Sequence, residues 1–572
     1  MQTPKEIFME MLKPDGHPER QLKQYEALSL VLTDPCNIYL HASFDETRRA
    51  VNKWGVTLIL PEGAPGSMPY TEGDAKVLKD ITKWREVVHA PDIVHECTGG
   101  WEEARAKAVA AAGEDKLLTC FMATGIFEQC HFLMGIPDTL TNLYEHPKEM
   151  HELIDYITEF RLQLARMLID NMHPDAILSH DDWGTSNALF MQPDVWREFF
   201  KEPYRKLYGY IRSRGVIVIH HADSYLSPIV EDMPEIGIQC WQGVLPENNI
   251  PELQDRLQGK MILMGGIGAK IDRATATEEE IREYTRNALE EYCDGGHFIP
   301  CITYGVPGCV FKHLDPIIND EIDKYNSILH MPGKKSLHVV RRERAGTKVQ
   351  SNEQNNSEKT SSDLLPSIAA ALYKGQKGKV VKLCQEAIDQ GYDPQVIINE
   401  GLMAGMNELG NDFTLNKVFV PEMLTAAKAM NAATEILKPL LMGENSATVG
   451  RVCIGTVKGD MHDIGKNLVK IMMEGSGLEV IDLGNDVSAE QFVTTAIDNH
   501  CDIICCSSLL TTCMGEMRRV VELAKEKNIR DDVKIFIGGA PISQSFCDEI
   551  GADVYTDDAG AAARTAVSCL RS

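Results

Sequence analysis

At 572 residues, with 44% hydrophobic and 25% charged, the chain is too long for one ordinary domain and has the balance of a multidomain globular protein. Its formal net charge of −27 argues against a nucleic-acid surface and offers no basic patch to acidic lipid. No apolar run approaches the ~20 residues of a membrane span, Met1 to Glu6 lacks a secretory pattern, and the 16 cysteines include no CxxC pair, so a reduced, cytoplasmic protein is expected.

Residues 1–335 read as one large α/β domain. Val56–Leu60, Leu117–Met122, Ala176–Ser179, Val216–His220, Ile238–Trp241, Met261–Met264 and His297–Cys301 are apolar strand candidates, with a weaker one at Ile93–Glu96. Strands alternating with helix-length segments in that number predict a (β/α)8 TIM barrel. Polar residues crowd just after several of them, at His180-Asp181-Asp182, His220-His221-Ala-Asp223 and Thr303-Tyr304, where a barrel carries its chemistry. His221, Asp181, Asp182 and Tyr304 are therefore catalytic candidates. An Asp-Asp pair at a strand end is costly without a ligand, although either carboxylate could instead cap a helix. His221, Asp223 and Cys301 form a candidate zinc site from two strand ends, three ligands leaving a fourth position open. His220, Cys240 and Cys309 compete for the same roles.

Residues 336–362 contain almost no apolar side chain and read as a flexible linker that raises the effective concentration of one flanking domain for the other. From 363 to 446, helical periodicity at Leu364–Ala370, Val380–Ala387, Val396–Leu409 and Met423–Leu441 predicts a small bundle. From 447 to 572, the runs Arg451–Thr456, Leu478–Leu483, Asp502–Cys506, Val533–Gly538 and Asp553–Thr556 predict five strands of a doubly wound, flavodoxin-like or Rossmann-like sheet. The first of these runs is followed by Asp460-x-His462-Asp463-x-Gly465, the third by Ser507-x-Leu509 and Thr511, and the fourth ends in Gly538-Gly539. His462 sits in a βα loop, with Asp460 the better placed carboxylate to orient its ring for a metal. Small hydroxyls and paired glycines at the neighbouring strand ends admit a bulky flat ligand.

Jointly these segments resemble the cobalamin-binding module of corrinoid methyltransferase proteins and methionine synthase. The resemblance implies that His462 is the lower axial ligand of cobalt, that Asp460 is its proton partner, and that the cofactor tail lies along Ser507, Leu509, Thr511, Gly538 and Gly539. The 363–446 bundle would cap the corrin, with Phe419 to Leu424 at its edge. Where the family's proton relay often ends in a hydroxyl, this chain has Cys513. The 1–335 segment resembles the uroporphyrinogen decarboxylase superfamily, including its methylcobamide:thiol methyltransferases, through His221 to Pro228, Gly237, the Trp241-Gln242-Gly243 turn, Phe190 to Tyr204 and Gly295 to Pro307. The thiol methyltransferases carry His-x-Cys and a distant cysteine as zinc ligands; here Asp223 stands in place of the first cysteine, and Cys301 is a displaced match for the second.

A carboxylate in place of a thiolate leaves a harder, more electrophilic metal, suited to polarising an ether oxygen as its methyl passes to Co(I). The expectation is a corrinoid-dependent methyltransferase that demethylates a methoxylated donor and loads a cobalamin fused on the same chain. Two alternatives stay open: transfer from methyl-Co(III) to a thiol or pterin, and an inactive barrel that only docks the carrier. The implied partners are a small methylated substrate, a second methyltransferase and a corrinoid-reactivating protein, with no nucleic acid and no membrane.

Overall fold

The structure is a computed structural model that describes residues 2–571 apart from 61–65, 72–74, 294–295, 305–307, 330–363, 415–417, 442–448, 461–463, 511–512, 540 and 557–558. Two compact units emerge, Met1–Leu58 with Pro69–Glu353, and Ile59–Met68 with Gln354–Ser572. The expected 336–362 linker lies outside the described residues.

The first unit is built on β1 (Leu28–Val31), β5 (Leu117–Met122), β6 (Ala176–His180), β7 (Ile217–His221), β8 (Cys240–Val244), β9 (Ile262–Ile267) and β10 (Phe298–Ile302). They pair in that order as one seven-stranded parallel sheet. Every residue of β7 through β10 is buried, the continuous pattern of strands covered on both faces. Inside the curled sheet lies an apolar layer that includes Leu117, Leu178, Ile219, Cys240, Met264 and Cys301. Ile7, Phe8 and Met11 of the helix Pro4–Met11 join it and plug the end where the strands begin. Lys5 pairs with Asp175 just ahead of β6 at 3.0 Å, and the Met11 carbonyl accepts from His297 just ahead of β10.

Among the described residues β1 and β10 share no ladder. Side chains bridge that seam instead: Gln21 donates to the Phe298 carbonyl and Gln24 to the Ile302 carbonyl. Asn326, on the helix Leu314–Leu329, accepts the Gln21 amide at 2.7 Å and donates to its carbonyl at 3.0 Å.

Two expected barrel strands are corrected. Ile93–Glu96 is a helical turn, because the Asp92 carboxylate accepts the His95 amide and caps it. The Val56–Leu60 run supplies β3 (Thr57–Ile59), which joins β2 (Arg49–Val51) and β4 (Met68–Pro69) in a separate three-stranded sheet. The strand at the barrel edge is Leu28–Val31, with only its end residues buried and no strong apolar signature.

In the second unit the helices Leu364–Tyr373, Lys377–Asp389, Met403–Thr414 and Val420–Leu441 occupy the expected segments. The sheet that follows comprises β11 (Arg451–Thr456), β12 (Glu479–Asp482), β13 (Ile503–Ser507), β14 (Lys534–Gly538) and β15 (Val554–Tyr555), in the order β12-β11-β13-β14-β15. One apolar cluster joins Ile368, Cys384, Leu409 and Met430 of the helices to Ile454, Ile503 and Phe536 of the sheet. A second, around Phe492, Val520 and Ile537, covers the opposite face. Helices on both faces of a parallel sheet make this a doubly wound α/β fold.

Candidate functional sites

β6 closes on His180 and β7 on His221, and the two are register partners. Their rings therefore reach the carboxyl rim side by side, stacked with centroids 4.4 Å apart and planes 29° apart. Asp182 follows two residues later, and one ligand atom each from His180, Asp182 and His221 lies within 4.8 Å of the others. His221 is buried, while His180 and Asp182 are half-buried.

Each of these side chains has a partner behind it. Glu128, on the helix Ile126–Met134 that follows β5, sets Oε2 3.0 Å from Nδ1 of His180. Gln242 in β8 presents Oε1 to Nδ1 of His221 and donates from Nε2 to the Tyr304 carbonyl at 2.9 Å. Asp182 Oδ1 accepts the Asp223 amide at 3.0 Å and the Ser224 hydroxyl at 3.3 Å.

Charge separates the two histidines. Burial opposes a charged His180, but the Glu128 carboxylate outweighs it and holds the imidazole up to about 10. Glu128 is held below the ordinary carboxylate range by the same pairing, despite its own burial. Burial, and then the His180 charge, push His221 well below its usual value, so it is neutral with a lone pair to offer. Burial raises Asp182 to about 6 against the pull of His180, and burial with the Asp182 charge raises Asp223.

Of the zinc trio read from the sequence, only His221 belongs to this group. Cys301 lies three strands away, 1% exposed in the interior layer, where burial pushes its thiol up. Asp223 contributes its backbone amide to Asp182. Asp181 has turned away from the rim to cap the helix Ile126–Met134, accepting Phe127 N–H at 2.9 Å, Glu128 N–H at 2.8 Å and the Tyr204 hydroxyl. Tyr304 sits half-buried just past β10, its phenol raised by burial. Sequence reasoning placed His180 in the polar cluster after β6 and Gln242 in the turn that carries the family resemblance without giving either a role, and it missed Glu128; a further signal was that β6 and β7 both end their apolar run in histidine.

The second site lies where the order of the five-stranded sheet reverses, between β11 and β13, outside their carboxyl ends. Asp460, with 0% exposure, ties the loop after β11 to the loop after β13, its Oδ2 accepting Leu509 N–H at 2.6 Å, Leu510 N–H at 3.1 Å and the Ser508 hydroxyl at 2.9 Å. Gly539 packs against the Ser508 backbone with φ +131°, where a Cβ would fall on the Ser508 carbonyl oxygen. Ser507 and Gly538 are register partners at the ends of β13 and β14. A Cβ at Gly465 or Gly484 would meet nothing within 4 Å, and Leu509 is exposed. Open space beside small residues, an exposed leucine and an anchored loop fit a broad, largely apolar corrin. His462, Asp463 and Thr511 lie outside the described residues.

Comparison with known proteins bears on the two units that carry these sites. The chain matches the uroporphyrinogen decarboxylase (URO-D) family over residues 52–308, and B12 binding domain families over 364–438 and 450–567. It is 42% identical over 209 residues to dimethylamine corrinoid protein 1 of Methanosarcina acetivorans, a match covering 36% of this chain and 98% of the relative. It is 42% identical over 180 residues to trimethylamine corrinoid protein 1 of the same organism, covering 31% of this chain and 83% of that one. Among solved structures, the methanol:cobalamin methyltransferase complex of Methanosarcina barkeri matches 37% of this chain and 81% of the compared chain, at 30% identity and a TM-score of 0.34.

Proposed function

The chain belongs to the corrinoid-dependent methyltransferases, a uroporphyrinogen decarboxylase-type barrel and a cobalamin-binding protein on one polypeptide, and from that premise we propose that the barrel demethylates a methoxylated donor at a zinc ion held by His180, Asp182 and His221. The carrying observation is the donor set: two imidazole nitrogens and one carboxylate oxygen within 4.8 Å, with no thiolate. Zinc suits these ligands, and three of them leave a position for substrate. Bound there, the metal supplies positive charge to the oxygen that loses its methyl, while reduced cobalt supplies the nucleophile.

The chain's own residues do the rest. His180 and His221 offer lone pairs only from nitrogens not engaged by Glu128 and Gln242. Asp182 contributes the negative charge, held in place by Ser224 and the Asp223 amide. A site without thiolate is less suited to activating a thiol acceptor, which favours loading of the corrinoid over unloading. Asp460 shapes the cofactor loops, and His462 would hold the corrinoid through its cobalt with Asp460 as its proton partner. A second methyltransferase would consume the methyl group, and a reductive activator would restore over-oxidised cobalt. The cysteines form no disulfide among the described residues, which suits the reducing cytoplasm such a centre needs.

The test mixes the full chain, loaded with reduced corrinoid, with a panel of methoxyaromatics, methylamines and methyl thiols, with and without a zinc chelator. Methyl ethers are expected to consume the absorbance of the reduced corrinoid, and chelation to stop it. Failure of every methyl ether overturns the donor class, and indifference to chelation overturns the metal.

A further inference from the structure

We propose that Glu128 and Gln242 are positioning residues that lock His180 and His221 in the Nδ1–H tautomer, so that both Nε2 lone pairs face one shared ligand position. The inference deepens the metal reading above and rests on it.

For His221 the logic runs through an amide that cannot turn over. A backbone carbonyl only accepts hydrogen bonds, so the 2.9 Å contact between Gln242 and the Tyr304 carbonyl requires the NH2 group on that side. The Gln242 oxygen must then face His221, and Nδ1 must carry the hydrogen it accepts. A neutral imidazole has one N–H, so its lone pair resides on Nε2. For His180 the acceptor is a carboxylate, which also has no hydrogen to give: Glu128 Oε2 takes the Gly125 amide at 3.2 Å and faces Nδ1 of His180 at 3.0 Å, so Nδ1 keeps its hydrogen and the proton that metal binding displaces is the one on Nε2.

The two locks come from the strands flanking the ligands. Glu128 follows β5, the ligands end β6 and β7, and Gln242 lies in β8, so four consecutive strands define the site. The locks differ in charge. Glu128 adds a negative charge behind one histidine, whereas Gln242 holds the other without adding one, which preserves the electrophilicity that polarising an ether oxygen requires. Its second bond also ties the position of His221 to the loop after β10.

The experiment uses the full chain free of corrinoid, titrated with Co(II) and Zn(II) against a competing chelator, with the visible absorption of Co(II) reporting ligand geometry. Gln242→Met, close in shape and without the acceptor, is expected to weaken metal binding by about 10–100-fold and to change the Co(II) spectrum. Gln242→Glu, which keeps an acceptor oxygen, is expected to restore affinity. Wild-type affinity and spectrum in Gln242→Met overturn the inference while leaving the metal site standing; a wild-type chain that takes up neither ion overturns the metal site itself. If Gln242→Met does not fold, Glu128→Met, which removes the acceptor behind His180, carries the same reading there, with an unchanged spectrum and affinity again counting against the lock.

Discussion

The buried carboxylate of Asp460 accepts the Ser508 hydroxyl at 2.9 Å, so two loops 48 residues apart in sequence are held as one wall of the crevice between β11 and β13. Two amides of the second loop converge on the same oxygen. Asp460 thus shapes the crevice between β11 and β13, and in sequence it precedes the expected cobalt ligand, His462, by two residues.

Ser508→Ala removes one charge-assisted hydrogen bond from a buried position, and a loss of roughly 1.5–3 kcal/mol is expected. Denaturant melts of the second unit's transition in the full chain measure it. Corrinoid affinity is expected to fall in parallel, because the loop that contains Leu509 loses its anchor. Unaltered melting and unaltered cofactor retention would show that the two backbone donors suffice.

Gly538 and Gly539 are expected to respond differently to alanine. At Gly539 the left-handed φ of +131° and the adjoining Ser508 carbonyl leave no room for a Cβ, so the loop must shift and corrinoid binding is lost. At Gly538 a Cβ would lie 3.4 Å from the Thr556 carbonyl, which ordinary packing tolerates. Stability of Gly538→Ala should stay near wild type, and any fall in cofactor affinity there reports a steric clash with the ligand.

Asp181 and Asp182 are neighbours with separate duties. Asp182→Asn is expected to cut zinc content of the purified chain at least tenfold, as read by elemental analysis, because it removes the one anionic ligand. Asp181→Asn should keep its zinc and instead lose about 0.5–2 kcal/mol of stability, the range for a damaged helix cap. Equal zinc loss in both variants would contradict the assignment.

Acid should weaken the barrel through Asp232, whose 7%-exposed carboxylate meets Arg197 at 2.9 Å and Lys201 at 2.5 Å. Burial would raise its pKa, but the two cations win and hold it below the ordinary value. The unfolded chain then binds the proton more tightly than the folded one, so the contribution is complete above about pH 4 and is lost as pH falls through the lower folded value. Asp232→Asn should cost about 1.5–3 kcal/mol near neutrality and flatten the acid limb of a stability profile. A parallel-shifted profile would remove Asp232 from the explanation.

Much of the architecture was legible because parallel strands buried on both faces leave uninterrupted apolar runs, as at Ile217–Ile219 and Ile262–Met264. Leu28–Val31 escaped notice because only its two end residues are buried, and Ile93–Glu96 misled because a capping aspartate outweighs β-branched residues over one turn. The corrinoid crevice was readable from Asp460 and Gly538-Gly539, since backbone approach and loop capping demand particular residues at fixed strand ends. The proposed barrel ligands were harder. His221-x-Asp223 looks like a motif along the chain, yet the candidate group assembles across the ladder, from His180 and His221 at equal height on adjacent strands. Nothing in local spacing records that register, and Cys301 gave no sign that it points into the apolar layer.

The seam of the barrel bears on how the protein is made. Gln21 is held by Asn326, 305 residues further along, and the segment just ahead of β1 reaches β10 through the side chains of Gln21 and Gln24. A nascent chain emerging from the ribosome can pair its first strand with β5 early, but it cannot tie Gln21 to Asn326 until the last barrel helix has been translated. Closure of the barrel seam therefore comes late in the synthesis of the first unit, shortly before the corrinoid-binding half begins to be made.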